Sequence, residues 1–214
     1  FDESLLLFSD QTQFVLDGST NLTPSNVSVS VTTEYENNTE IVSPVGTGSN
    51  VFFSYNRGAY SGFREYYVES DGETNRGEDI TANIPKYIPS NLFKIALANN
   101  DNTLVALSST SSENNCLYVY QWFYADGKRL QSSWHKWEYG ANSNTTILNV
   151  EFIGSILYIL IERSDGVYIE TVDVSPAVID AGATFLTHLD RKVSNTTTGV
   201  SESYSSGTDR TTIT

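Results

Sequence analysis

The sequence contains one cysteine, Cys116, no methionine, and only five prolines in 214 residues. A single thiol cannot close an internal disulfide, so a scaffold stapled by cross-links is excluded and packing must hold the fold. Nowhere do ~18 consecutive apolar residues occur, which excludes a transmembrane helix. No basic start leads into an apolar signal segment. Basic residues are scarce too: 12 Lys and Arg stand against 26 Asp and Glu, a net charge of −14. A surface that grips nucleic acid or anionic lipid needs clustered Lys and Arg, so neither partner suits this balance.

Motifs for chemistry are missing as well. There is no Gly-rich phosphate loop, no His-Glu-x-x-His and no Ser-His-Asp set. His135 and His188 lie far apart in sequence and Cys116 adds no near partner, so they do not suggest a metal centre. Glu69, Asp71, Glu73, Glu78 and Asp79 offer oxygen ligands but lack the spacing of a calcium loop, and read as a solvated turn. No catalytic residue, cofactor or metal is expected. With methionine absent and the chain opening Phe-Asp-Glu, Phe1 reads as an internal point of a longer polypeptide. Arg210 to Thr214 likewise reads as the start of a further strand.

What the chain does have is 39% hydrophobic residues with 12% aromatics, ordinary for a folded β-rich domain. An aromatic strand, Leu117 to Tyr124, precedes Ala125-Asp126-Gly127-Lys128 and then Gln131 to Glu138, a strong hairpin signal. Leu92 to Ala98 and Thr103 to Ser109 flank Asn99-Asn100-Asp101-Asn102, whose residue types tolerate left-handed backbone and favour a tight turn. Residues 92 to 138 therefore read as four consecutive antiparallel strands, the layout of one propeller blade.

The flanks repeat the pattern. Leu5 to Phe8 and Gln13 to Leu16 form a hairpin, and Val27 to Thr32 alternates as a half-buried strand. Ser43 to Gly48 reads as loop. Val51 to Ser54 and Phe63 to Val68 pair around Asn56-Arg57-Gly58, and the polar run Ser70 to Asp79 should lie in solvent. Pro85 and Pro89 mark Ile80 to Pro89 as a crossover. Ile147 to Phe152, Ile156 to Glu162 and Tyr168 to Val174 follow. Ile156 to Ile161, apolar at every position, should be covered on both faces. Ser201 to Arg210 carries no pattern and reads as mobile or docked elsewhere.

Matching hairpins recur at similar spacings: Leu5 to Val51 is 46 positions, Val51 to Leu104 is 53, and Leu104 to Ile156 is 52. A period near ~50 residues with several strands per unit predicts a propeller and not a sandwich. The expected fold is all-β and propeller-like, with about four antiparallel blades, excised from a longer chain. The units fall near 5–50, 51–91, 92–140 and 147–175, within a domain over 1–190. A Ser/Thr-rich segment over 191–214 leads onward.

The ordered set Leu22-Thr23-Pro24, Arg64-Glu65-Tyr66, Asp79-Ile80-Thr81, Pro85 to Pro89, Leu117 to Tyr120, Lys128-Arg129 and Gln131 to Trp137 resembles the tail tubular protein B, or nozzle, family of short-tailed double-stranded-DNA bacteriophages. The resemblance runs from about Leu5 to Arg191 and is most specific at the tryptophan stretch. It implies a structural part of a homo-hexameric ring in the virion, assembled in the host cytoplasm. That ring would lie below one of tail tubular protein A and near tail fibres. DNA would leave through its channel without specific binding, and no membrane anchor is implied. Surplus carboxylates would repel phosphate along such a conduit. Arg64, Glu65, Tyr66, Asp79, Thr81, Tyr87, Trp134 and Trp137 are the candidate motif or interface residues.

Trp134 and Trp137, three apart on a strand, should face opposite sides, one packed between blades and the other partly exposed. The competing reading is a propeller that binds or degrades host surface polysaccharide, with Glu65 and Glu138 as the candidate carboxyl pair.

Overall fold

Alternating apolar residues in short segments, punctuated by Asn, Asp and Gly, can bury themselves only by pairing into sheets and stacking sheet on sheet. The computed structural model describes residues 5–17, 23–69, 74–125, 128–139, 145–175, 202–208 and 210–213. Every regular element among them is a strand, and no helix among them is long and apolar enough to cross a membrane. The chain divides into two compact units, Phe1–Ser175 and Pro176–Thr214.

The larger unit is propeller-like, built of four antiparallel sheets taken in chain order and none closed into a barrel. The first holds β1 (Leu5–Ser9), β2 (Thr12–Asp17) and β3 (Ser28–Thr33). The second holds β4 (Val45–Gly46), β5 (Asn50–Arg57), β6 (Tyr60–Val68) and β7 (Asn75–Asp79). The third holds β8 (Leu92–Ala98), β9 (Thr103–Ser108), β10 (Cys116–Ala125) and β11 (Lys128–Glu138). The fourth holds β12 (Thr146–Ile153), β13 (Ile156–Arg163) and β14 (Gly166–Asp173). Strand order follows chain order in each, so every sheet is a simple meander, the pattern read for residues 92 to 138. β4 lies against β8 and β8 against β12, which sets the first strands of successive sheets side by side as in propeller blades.

The core consists of the seams between these sheets. On β9 and β10 successive residues serve different seams. Leu104, Tyr118, Tyr120 and Trp122 meet Phe52, Phe63 and Ile80 of the second sheet and the segment after it. Val105, Leu107, Leu117 and Val119 meet Ile147, Leu157, Ile159 and Ile161 of the fourth. A smaller seam joins Val51, Phe53 and Tyr66 to Leu6 and Phe8 of the first sheet. This period-two division is why the third sheet is apolar on both faces while remaining a regular meander. Turn chemistry agrees with it: Asn102, closing the β8–β9 connection, has φ 48°. The Asp126-Gly127 turn between β10 and β11 lies outside the described residues.

Several segments depart from the sequence reading. Val27, Val29 and Val31 are exposed, so β3 is not half-buried through its valines. Their face looks away from the second sheet. On β13, Leu157, Ile159 and Ile161 are buried while Ile156 is exposed and Tyr158 and Leu160 are half-exposed, so one face is covered and not both. Ser43 to Gly48 contains the two-residue β4. The polar run up to Asp79 contains β7. Pairing with β6 asks only for backbone, and Gly77 is buried because Tyr35 atoms lie 2.7 Å from where a Cβ would stand. In the smaller unit, Ser201 to Arg210 was expected to be patternless, yet Glu202–Ser205 (β15) and Arg210–Ile213 (β16) pair as an antiparallel hairpin.

Candidate functional site: the seam between the second and third sheets

The candidate residues Arg64, Glu65, Tyr66, Asp79 and Thr81 all come from β6, β7 and the turn after them, and the pairing places Arg64 opposite Asp79. Asp79 is the hub of one network. Its carboxylate accepts from the Tyr55 hydroxyl at 2.6 Å, from the Thr81 amide and hydroxyl at 2.9 and 2.7 Å, and from Arg57 at 2.7 Å. Burial alone would raise its pKa, but the Tyr55 and Thr81 hydrogen bonds and the Arg57 charge outweigh it and hold the carboxyl below its usual value. Thr81, fully buried, also accepts from the Phe63 amide at 3.1 Å. Arg64 donates to the Gly77 carbonyl at 3.0 Å, with its guanidinium 4.4 Å from the Tyr35 ring and 5.1 Å from that of Tyr55. Tyr66, on the same face of β6 as Arg64, sits in the seam with the first sheet, and its hydroxyl donates to Thr32 at 2.7 Å.

Glu65 belongs to a second network, which crosses between sheets. It is 1% exposed and accepts from Asn50, from the Tyr124 hydroxyl at 3.3 Å and from Arg129. Arg129 also pairs with Glu78. Burial works against its charge, yet Glu65 first, then Tyr120 and Glu78, hold it protonated. Tyr124 is pushed up to about 12 by burial and by Glu65. These groups line a cleft of about 910 Å³ between the two sheets, rimmed by Tyr67, Glu69, Asn99 and Trp122.

β11 carries the tryptophan stretch, and the predicted division of faces is observed. Trp134 turns to the second sheet, donating to the Ile80 carbonyl at 3.1 Å, with its ring 5.0 Å from both Phe63 and Tyr120. Trp137 turns to the fourth sheet and packs on that seam, so both indoles serve seams. Tyr87 is 39% exposed and meets Tyr118 edge-on at 5.8 Å. Burial lowers the pKa of His135, whose ring lies 5.9 Å from Trp137. His188 lies outside the described residues.

The alternative site is not assembled. Glu65 faces Arg129 at one end of β11, whereas Glu138 stands nine residues further along, opposite Cys116. That is roughly 30 Å of strand, well beyond the ~5–9.5 Å that separates paired glycosidase carboxyls. The acidic run is likewise divided among partners: Glu69 pairs with Arg76, Glu78 with Arg129 and Asp79 with Arg57. Asp71 and Glu73 lie outside the described residues. Among the described residues no group of three or more His, Cys, Asp or Glu is gathered to hold a metal ion. Sequence reading missed Arg129, Tyr55 and Arg57 as site residues. Arg129 and Arg57 are cations that meet Glu65 and Asp79, and Tyr55 donates its hydroxyl to Asp79, pairings that show only in the folded chain.

The chain is similar to tail tubular protein gp12 of Escherichia phage T7, at 29% identity over 195 residues that cover 90% of this chain and 24% of that protein. It therefore spans about a quarter of that relative's length. Among solved structures it is similar to Kluyveromyces lactis Hsv2, with a TM-score of 0.46 and 12% identity over 93% of this chain and 60% of that one. A second Kluyveromyces lactis Hsv2 structure, with complete loop 6CD, gives 0.43 and 11% over 98% and 71%. The family model described as bacteriophage nozzle protein matches residues 1–214. With that match along its whole length, the chain belongs to the bacteriophage nozzle protein family.

Proposed function

We propose that this chain is a wall piece of a phage tail nozzle, acting through shape and charge and making no bonds in a substrate. The observation that carries this reading is the family match across residues 1–214. A stack of sheets with apolar seams and an ion pair crossing one of them supports it. The groups best equipped for chemistry are already engaged: Glu65 and Glu78 by Arg129, Asp79 by Arg57. Arg64, Glu65, Tyr66, Asp79 and Thr81 act as braces of the second sheet, and Trp134 and Trp137 as seam fillers. Tyr87, partly exposed, is the candidate best placed to meet a neighbouring subunit.

The reading extends to a homo-hexameric ring in the virion, below a ring of tail tubular protein A and with tail fibres as further neighbours, assembled in the host cytoplasm. A net charge of −14 would let DNA pass without sticking. Electron microscopy of the full-length protein, alone and mixed with the upper ring, should give six-fold particles. A stable monomer in both conditions would overturn the ring. A polysaccharide-degrading propeller would release new reducing ends from host surface polysaccharide and lose that activity in Glu65→Gln. None is expected.

A further inference from the structure

Two parts of the seam between the second and third sheets are held by polar contacts more than by apolar burial. β7 is the edge strand of the second sheet and carries no apolar side chain, reading Asn75-Arg76-Gly77-Glu78-Asp79. The other part is the end of the β10–β11 hairpin. β9 pairs with β10 as far as Gln121, opposite Thr103, whereas β10 and β11 go on pairing to Ala125 and Lys128. Beyond Trp122, which is buried against Phe52 at 5.0 Å, the hairpin is therefore a two-stranded arm. Phe123 and Leu130 on it are exposed. Polar groups seat it: Arg129 reaches Glu65 and Glu78, and Tyr124, paired across from Arg129, reaches Glu65.

Those contacts make each part depend on the other. Glu65 and Glu78 stand directly opposite in the β6–β7 ladder, an arrangement in which like charges repel at about 5 Å. Arg76, the other cation on that face, turns to Glu69. Among the described residues only Arg129 forms an ion pair with Glu65 or Glu78, one terminal nitrogen to each carboxylate. Lifting the arm leaves the two facing carboxylates uncompensated, and β7 has no apolar side chain to hold it against them. Lifting β7 takes away one of the arm's two carboxylates. Asp79, pinned by Tyr55, Arg57 and Thr81, holds the strand at its far end. We infer that the arm is a clasp on β7, and that arm and strand open together as one unit, hinged at Trp122 and at Asp79, while the apolar seams stay shut. Opening uncovers the β6 backbone from Glu65 to Val68, the stretch that pairs with β7. The larger unit thus has a door at one sheet edge, latched by a single guanidinium.

Native-state hydrogen exchange in rising, sub-denaturing urea tests this on the 214-residue chain, since each opening reports its own free energy and exposed surface. The amides of β7 and of the arm should converge on one isotherm, below that of β8, β9 and β13. Glu78→Gln removes the strand's half of the clasp at a half-exposed position and leaves Arg129 on Glu65. The two isotherms should then part, with the arm opening independently of β7. Lys94→Met, which breaks the ion pair between the third and fourth sheets, should leave them joined. Arg129→Lys keeps the charge, but an ammonium cannot fork to two carboxylates, so β7 and the arm should lose protection together, by roughly tenfold. Separate isotherms in the wild type, exchange of both parts only with global unfolding, isotherms that stay joined in Glu78→Gln, or unchanged protection in Arg129→Lys would each overturn the inference.

Discussion

The guanidinium of Arg129 on the third sheet meets the carboxylate of Glu65 on the second, 64 residues earlier in the chain. Their side chains are 17% and 2% exposed, so the pair sits where Coulomb attraction is strong and desolvation heavy. Such a pair adds little net stability over an apolar replacement, but neither partner tolerates being left alone. Its effect is to fix which part of β11 faces which part of β6.

Arg129→Met should therefore destabilise the chain by about 3–5 kcal/mol, because Glu65 would be left as an uncompensated buried charge. The double variant Glu65→Leu with Arg129→Met should recover most of that loss. Urea unfolding at neutral pH measures both, and equal losses in the single and double variants would show that the pairing is not the cause.

Trp134 and Trp137 serve different seams, and their effects should be separable. Each change to alanine should cost roughly 2–4 kcal/mol, a little below the range for fully buried aromatics. Since the two share no partners, the double variant should lose the sum within about 0.5 kcal/mol. A large deviation from additivity would mean that the third sheet transmits strain from one seam to the other.

Gly62 lies under the Tyr55 ring, at a spot where an added Cβ would overlap that ring. Gly62→Ala should push Tyr55 off Asp79 and cost about 1–3 kcal/mol, as overpacking does. Tyr55→Phe, which removes only the hydroxyl, should cost less. Thermal unfolding ranks the two, and the reverse order would place the value of Tyr55 in its hydrogen bond instead of its ring position.

Stability should decline at alkaline pH. Burial raises the pKa of Tyr124 and Tyr139 to about 12, and also moves those of Tyr118 and Tyr120 upward. These phenols ionise near pH 10 once unfolded, so their contribution is fully present below about pH 10 and is lost as pH climbs toward the folded values. The urea midpoint should fall across that window. Phenolate absorbance that completes near pH 10 with tryptophan fluorescence unchanged would contradict it.

Much of this architecture is legible in the residues. The meander over Leu92 to Glu138, the Asn-rich turn ending at Asn102 and the opposed tryptophans all follow from period-two alternation and turn chemistry. What alternation cannot reveal is which face a neighbour covers. Val29 and Val31 look like core yet lie on an outer face, and Ile156 to Ile161 look doubly buried yet are covered on one side. β7 was hidden for the opposite reason: Asn75 to Asp79 is polar, and its place depends on backbone pairing and on the missing side chain of Gly77. The Arg129 bridge was invisible because no local pattern announces a partner 64 residues away.

Each sheet of the larger unit is an unbroken meander of neighbouring strands, and the next sheet begins only after the previous one ends. An all-β protein of this length would ordinarily wait on distant pairings and fold slowly. Here every ladder can close as soon as its own few dozen residues have emerged from the ribosome, and each finished sheet offers a template for the one that follows. Synthesis from the N-terminus is thus also an order of assembly, with a premature stop leaving whole sheets instead of a tangled fragment.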